Sequence, residues 1–561
     1  MNARALTAWS AAGLLIVLAS NNPVYRGLVM LAAVNVLLAS LPRERSLRPL
    51  LLAVALAALA TALLNPLLSH TGEHLLPGLP GWVPGIGGPL TLESVAYGAG
   101  SGIGLAAAVL AVAPLSLSLQ PHELVDALPR SLERTGTALA AALNLVPAIG
   151  RSFTAVLESQ RMRGWRPRGP RSWAEILAPV ILTAIEDSIQ LAEAMEARGF
   201  GSGPRTRYRS RGFGGWDWLV STASLLALLI FLAGRVSGLA PDWQPYPALN
   251  LPVVSPLLVG ACLLLLAPVA AWGRGRPAAA GPDRPAPRGK WSGIERAGGS
   301  SSVPAAGLAA VSLVGLALFL WPFTGANLPG DSPAIAISLA VVVVLVLLEV
   351  GSRALDARGL ALLAALAAVD AGLRLAVVSG IGGFSPIFLP ILCAGFVFGP
   401  SYGFLSGALG LLVSAVATGG LGPWVPYQVF AAGWVGAAAG LFAGRRLWVL
   451  AVVGVVSGFG FGALMDVWDW SAYFRGSGDL GWVSGLDPIS ALGRFAHFYL
   501  VTSLAYDSLR AGGNLVMVLL LGGVLVRALT RVRERLGFEL LPARPPHPVV
   551  PLVAKTGTTA R

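Results

Sequence analysis

Long apolar runs broken by short polar stretches repeat along this chain from end to end. They fall at 6–20, 27–41, 50–67, 99–118, 213–234 and 251–272, then at 303–323 and 333–350, then at 359–379, 387–399, 402–418, 427–444, 447–467 and 494–526. None alternates with the period of two that marks a half-buried strand. A helix needs about 20 mainly apolar residues to cross a bilayer. In lipid only helices and closed barrels satisfy their own backbone hydrogen bonds. The pattern predicts an all-α integral membrane fold of polytopic helical bundles, with about 14 spans.

The polar positions orient these spans. With the N-terminus inside, the inner loops are Pro42–Pro49, Gln120–Gly212, Gly273–Ser302, Ser352–Arg358, Pro400–Ser401, Arg445–Arg446 and the tail from Arg527. Nearly all the arginines fall there, and the intervening outer loops carry few cations. Cytoplasmic loops of membrane proteins show this excess, so both termini are expected in the cytoplasm.

Two polar stretches differ in kind. Gly273–Ser302 is rich in Gly, Pro, Ser and Arg and reads as a linker that cannot bury a core. Gln120–Gly212 holds amphipathic helical runs, notably Ser172–Phe200, where Glu175, Glu186, Asp187, Glu193 and Glu196 interleave with apolar residues. A partly apolar cytoplasmic element of this size is expected to dock on another protein.

Composition supports a lipid environment. The chain of 561 residues is 55% hydrophobic and 12% charged, with mean hydropathy +0.71; soluble domains carry about 25% charged residues. The net charge of +13 is almost all arginine, since lysine occurs only at Lys290 and Lys555. Its placement in short loops orients a membrane protein and does not build a nucleic-acid face. Cys262 and Cys393 lie in apolar runs and offer no metal spacing or disulfide framework. No phosphate loop of the form Gly-x-x-x-x-Gly-Lys-Ser/Thr occurs, so ATP hydrolysis is not expected in this chain.

Two short motifs stand out in the amphipathic region: Arg161-Met162-Arg163-Gly164 and Glu196-Ala197-Arg198-Gly199. Each sets an arginine at a predicted helix end, followed by a glycine suited to a left-handed C-cap. With Asn65-Pro66-Leu67, His70 and Gly72, the stretch Leu92–Gly98 and Pro121–Leu128, they make residues 1–272 resemble the transmembrane T component of an energy-coupling-factor transporter. Its coupling helices would lie at about 120–212. That family has two Ala-Arg-Gly motifs. Ala197-Arg198-Gly199 matches in full, while Met162 replaces the alanine before Arg163-Gly164. The resemblance implies that Arg163 and Arg198 dock on two ATP-binding-cassette ATPases, which would hold ATP and magnesium. No cofactor is then expected in this chain itself. It also implies a multi-pass protein of a bacterial cell membrane.

Residues 355–535 resemble the S component, the substrate-capturing subunit of the same class, through six predicted spans and the stretch from Gly382 to Trp434. The resemblance implies close helix packing on the T half through small residues, here Ala361, Ala364, Ala365 and Ala368. Candidate substrate contacts are Phe384, Trp424, Tyr427, Gln428, Asp466, Trp468 and Trp470 near the outer loops, and Asp507, Arg510 and Asn514 on one helical face. The aromatics suit a pocket for a vitamin or other micronutrient, and equally an interfacial belt. Ionisable groups at such depth usually pair inside the bundle, so Asp370 and Arg374, four apart, form a second candidate pair. The spans at 303–350 match neither half and read as a spacer; 536–561 is a tail. Two other classes stay open: an ion-coupled secondary transporter, with sites on broken helices at the midplane, and an integral membrane enzyme.

Overall fold

In the computed structural model, the described residues exclude 41–46, 69–71, 81–87, 120–122, 124–129, 167–169, 201–212, 274–304, 326–342, 353–354, 377–385, 475–479, 537–561 and the single positions 240, 242, 247, 345, 347, 419 and 484. The linker, the tail, Phe384, His70 and most of Pro121–Leu128 therefore lie outside the described residues.

The chain is a polytopic helical membrane protein. Among the described residues, eight helices are long and apolar enough to cross a membrane, and four shorter apolar helices accompany them. The first half contains α1 (Ala3–Ala19), α2 (Pro23–Ser40), α3 (Arg48–Leu68), α4 (Leu92–Ser118), α5 (Glu133–Met162), α6 (Pro170–Ala197), α7 (Gly215–Val236), α8 (Pro256–Leu264) and α9 (Ala267–Gly273). Between α3 and α4 a small antiparallel hairpin pairs β1 (Leu75–Leu79) with β2 (Gly88–Thr91), which apolar periodicity did not predict. Then come α10 (Ala305–Leu320), closed by a 3₁₀ turn at Trp321–Phe323, and helical residues at 348–352. The C-terminal module is α11 (Ala357–Ala376), α12 (Phe388–Phe398), α13 (Pro400–Thr418), α14 (Val425–Leu441), α15 (Leu447–Tyr473), α16 (Pro488–Thr502), α17 (Leu504–Met517) and α18 (Gly523–Leu536).

The run at 494–526, read as one span, is broken. Helix α16 ends at Thr502, Ser503 leaves helical geometry at φ −125°, and a π-helical turn at Val518–Gly522 joins α17 to α18. Thr502 and Ser503 exchange a hydroxyl contact at 3.0 Å at this break.

Glycine brings the helices of the C-terminal module close together. On α13 and α14 a side chain at Gly403 would strike the Gly436 carbonyl, and one at Gly407 the Ala432 carbonyl. The paired positions run in opposite directions, so these helices pack antiparallel with backbone against backbone. Helices α15 and α17 do the same through Gly458 against Ala511 and Gly462 against Asp507.

Separate cores result. One joins α1–α4 with α7–α9. The largest joins α5 and α6 with the C-terminal module, through Leu139, Leu143, Ile149, Val180 and Ile185 on one side and Leu363, Leu366 and Val369 on the other. The apolar face of this helix pair is thus buried within this chain. Sequence grouping had placed these helices with the N-terminal half.

Candidate functional site

Helices α5 and α6 form an antiparallel hairpin. Trp165 Nε1 donates to the Ser172 carbonyl at 3.0 Å across the connecting turn. At the far end the Arg134 guanidinium sits 4.5 Å from the Phe200 ring centroid. Helix α5 has 30 residues and α6 has 28, each about 40–45 Å long. Arg163 and Arg198 therefore stand at opposite ends of the hairpin, and both are exposed.

Both helices end in the same way. Gly164 and Gly199 take φ of +83° and +73°. Trp165 N–H reaches back to the Gln160 carbonyl at 2.9 Å and Gly164 N–H to Arg161 at 3.0 Å. At the second end Phe200 N–H bonds Met195 at 3.0 Å and Gly199 N–H bonds Glu196 at 2.9 Å. These are Schellman closures, which need a left-handed residue at the first position past the cap. Each holds the preceding arginine, and Ala197 in the second motif, at the rim.

The start of α5 is held from outside. Its N-cap is Leu132, whose side chain cannot accept a hydrogen bond. Glu349 supplies the missing acceptor, taking Thr135 N–H at 2.9 Å and Arg134 N–H at 3.3 Å while only 4% exposed. Arg134 also donates to the Leu355 carbonyl at 3.3 Å, and Arg358 pairs with Glu196 at 3.1 Å beside the second motif. Sequence reading missed Glu349 and Arg134; the only signal was an acid at the end of an apolar run.

Helix α11 packs on both α5 and α6. Arg134 lies by Leu355, and Ile149 lies against Gly372 at 3.0 Å from where a Cβ would stand, so α11 runs beside α5 in the same direction. Ala361, Ala365 and Ala368 share a helical face with Gly372, and Ala364 is also fully buried.

The ten candidate substrate contacts divide. Tyr427, fully buried, has ring centroids of Phe319 at 5.1 Å and Trp468 at 4.9 Å beside it. Trp470 stacks on Phe323 at 5.6 Å and 26°, and donates to the Leu480 carbonyl at 2.7 Å. Trp424 bonds the Gly420 carbonyl at 3.1 Å, and half-buried Gln428 lies one turn further along α14. Asp466, Asp507, Arg510 and Asn514 belong instead to the contact of α15 with α16 and α17. Asp507 pairs with Arg510, whose guanidinium also lies 5.4 Å from the Phe461 ring, and Asn514 donates to the Gly454 carbonyl at 2.9 Å. Asp466 and Trp468 are two residues apart on α15, about 200° around it, which separates the acids from the Tyr427 aromatics.

Asp370 and Arg374 do not pair. Arg374 donates to Ser414 Oγ at 3.2 Å, while the fully buried Asp370 carboxyl lies against Gly410 of α13. Among the described residues, no group of three or more His, Cys, Asp or Glu gathers that could hold a metal ion.

Asn65, Gly72 and Glu93 of the N-terminal half, named by the resemblance, each meet a neighbour that it did not name. His74 Nδ1 lies 2.6 Å from Glu93, whose carboxylate fills the space beside Gly72. The Tyr246 hydroxyl donates to Asn65 at 3.1 Å. The Glu93 hydrogen bond, then its charge, pushes the pKa of the exposed His74 up.

Residues 1–208 match the family model of CbiQ, cobalt transport protein. The match covers α1–α6 and includes both arginine motifs. The match makes the N-terminal part of this multi-pass chain similar to a transport protein and supports a transporter over an enzyme. Comparison with curated proteins and with solved structures gave no match.

Proposed function

We propose that this chain is the membrane subunit of an energy-coupling-factor importer in which a T component is fused to an S component. The CbiQ-like region and its coupling hairpin receive the motion of two ATP-binding-cassette ATPases. The C-terminal module captures a vitamin or other micronutrient. Both termini face the cytoplasm, where the arginine-rich loops lie.

The observation that carries this reading is the pair of identically capped, exposed arginines at opposite ends of one hairpin, inside the segment that matches a transport family. Two docking points so far apart suit two separate ATPase subunits. Arginine presents a planar fork of donors that matches a carboxylate, so a groove with acidic residues would hold it. The hairpin shares a core with α11, so a tilt imposed at its ends carries the C-terminal module along.

The test is the double substitution Arg163→Ala with Arg198→Ala. Copurification of the ATPases and ATP-driven uptake should both be lost, while melting in detergent stays within about 0.5 kcal/mol of wild type, as for exposed substitutions. Uptake that persists without bound ATPases would turn the reading towards an ion-coupled carrier.

A further inference from the structure

Helix α10 lies between the CbiQ-like region and the six-helix module, and sequence reading gave it no task beyond spacing. In the structure its C-terminal end joins the aromatic cluster. Phe319 packs on Tyr427 and on Trp434, at 5.1 Å and 5.5 Å between centroids. Trp321 meets Trp482 at 5.2 Å and points its Nε1 at the Tyr427 hydroxyl, 3.4 Å away. Phe323 stacks on Trp470 in a near-parallel arrangement and meets Phe495 edge-on at 5.5 Å.

We propose that the Trp321-Pro322-Phe323 turn is a displaceable occupant of a ring-binding site walled by Tyr427 and Trp470, and that the ligand of this site is a planar ring compound that takes its place. The proposal rests on the reading of residues 355–535 as a substrate-capturing module.

Three observations carry it. The walls do not depend on the turn: Trp470 is anchored through its own Nε1 to Leu480, and Tyr427 is held between α14 and α15 by Trp468. The turn is held mainly by ring contacts: beside them stand a long contact from Trp321 to the Tyr427 hydroxyl at 3.4 Å and one bond from Trp482 Nε1 to the Pro322 carbonyl at 2.9 Å, and Trp321 and Phe323 are only half-buried. Directly after the turn Gly325 takes φ +69°, a conformation that a glycine adopts without strain. The ring class follows from the occupant. The face of Trp470 already accepts Phe323 at 26°, and aromatic pairs favour such offset stacks.

The test uses the full chain purified with its ATPases. Cys262 and Cys393, both buried, are replaced by alanine and Tyr427→Cys is the reporter. A water-soluble methanethiosulfonate reagent should label it slowly. Adding Trp321→Ala and Phe323→Ala should raise the labelling rate about tenfold or more, the loss of two aromatic contacts. Trp321→Phe, which keeps a ring but removes the donor to residue 427, serves in an otherwise native chain should the double variant fail to fold. Mass spectrometry of compounds released from that variant and from wild type then gives the readout. A planar ring compound, retained in larger amount by the variant, supports the proposal. Equal labelling rates overturn the gate, and release of only ringless compounds or of nothing overturns the ring site. Loss of ATPase copurification in the Arg163 and Arg198 variants is read separately, so failure here leaves the coupling assignment standing.

Discussion

Removing the Glu349 carboxylate tests whether the segment before α11 holds the coupling hairpin. Helix α5 has no side-chain cap of its own, because Leu132 occupies that position. Glu349 takes two backbone N–H groups of its first turn, across a sequence separation of 214 residues for Thr135. In Glu349→Ala these donors lose their acceptor at a buried site. Losing a cap costs about 0.5–2 kcal/mol, the helix dipole loses a favourable negative charge worth about 0.3–2 kcal/mol, and a buried unsatisfied donor costs about 1–3 kcal/mol. These effects overlap, so about 2–4 kcal/mol is expected for local opening of the first turn of α5. Glu349→Gln keeps one acceptor oxygen and loses the charge, and should cost about half as much. Amide hydrogen exchange reads this directly, because each 1.4 kcal/mol is a factor of about ten. Exchange at residues 136–138 should rise about 30- to 1,000-fold in the alanine variant. Exchange within threefold of wild type in both variants would refute the reasoning and leave Glu349 a bystander.

Other outcomes follow from single contacts. Gly164→Ala meets open space, so its cost is the left-handed backbone alone, about 1–2 kcal/mol, read as fraying of the α5 end by hydrogen exchange. Gly403→Leu must force α13 from α14 at a backbone contact, and should destabilise by about 3 kcal/mol or more on thermal melting, with alanine milder than leucine. The raised pKa of His74 gives a signed pH dependence. Its contribution is fully present below the ordinary value of 6.5 and is lost as pH rises through the raised value. The stability gap between wild type and His74→Gln should therefore narrow as pH rises above 6.5, and a constant gap would dismiss the interaction.

Part of the geometry of the candidate site was legible in the sequence, and the rest was hidden for a definite reason. Gly164 and Gly199 announced their caps because left-handed closure is a local requirement that few residues besides glycine meet. Asp507 and Arg510 announced their pairing because three residues along a helix is a fixed distance. Asp370 and Arg374 had the same local logic at four residues, yet Ser414 of another helix took the arginine. Local spacing proposes a pair, and the neighbouring helix disposes of it.

The sequence by itself determined that the chain lives in lipid, that its apolar runs are helices, and where the two arginine motifs end theirs. Those properties depend on composition and on contacts within a few residues. Tertiary structure alone decided that α5 and α6 share a core with α11, that Glu349 caps a helix more than 200 residues earlier, and that the end of α10 fills the aromatic cluster. Each joins segments distant in the chain. Apolar and aromatic side chains carry no address in their own neighbourhood, so their partners are chosen only when whole helices pack.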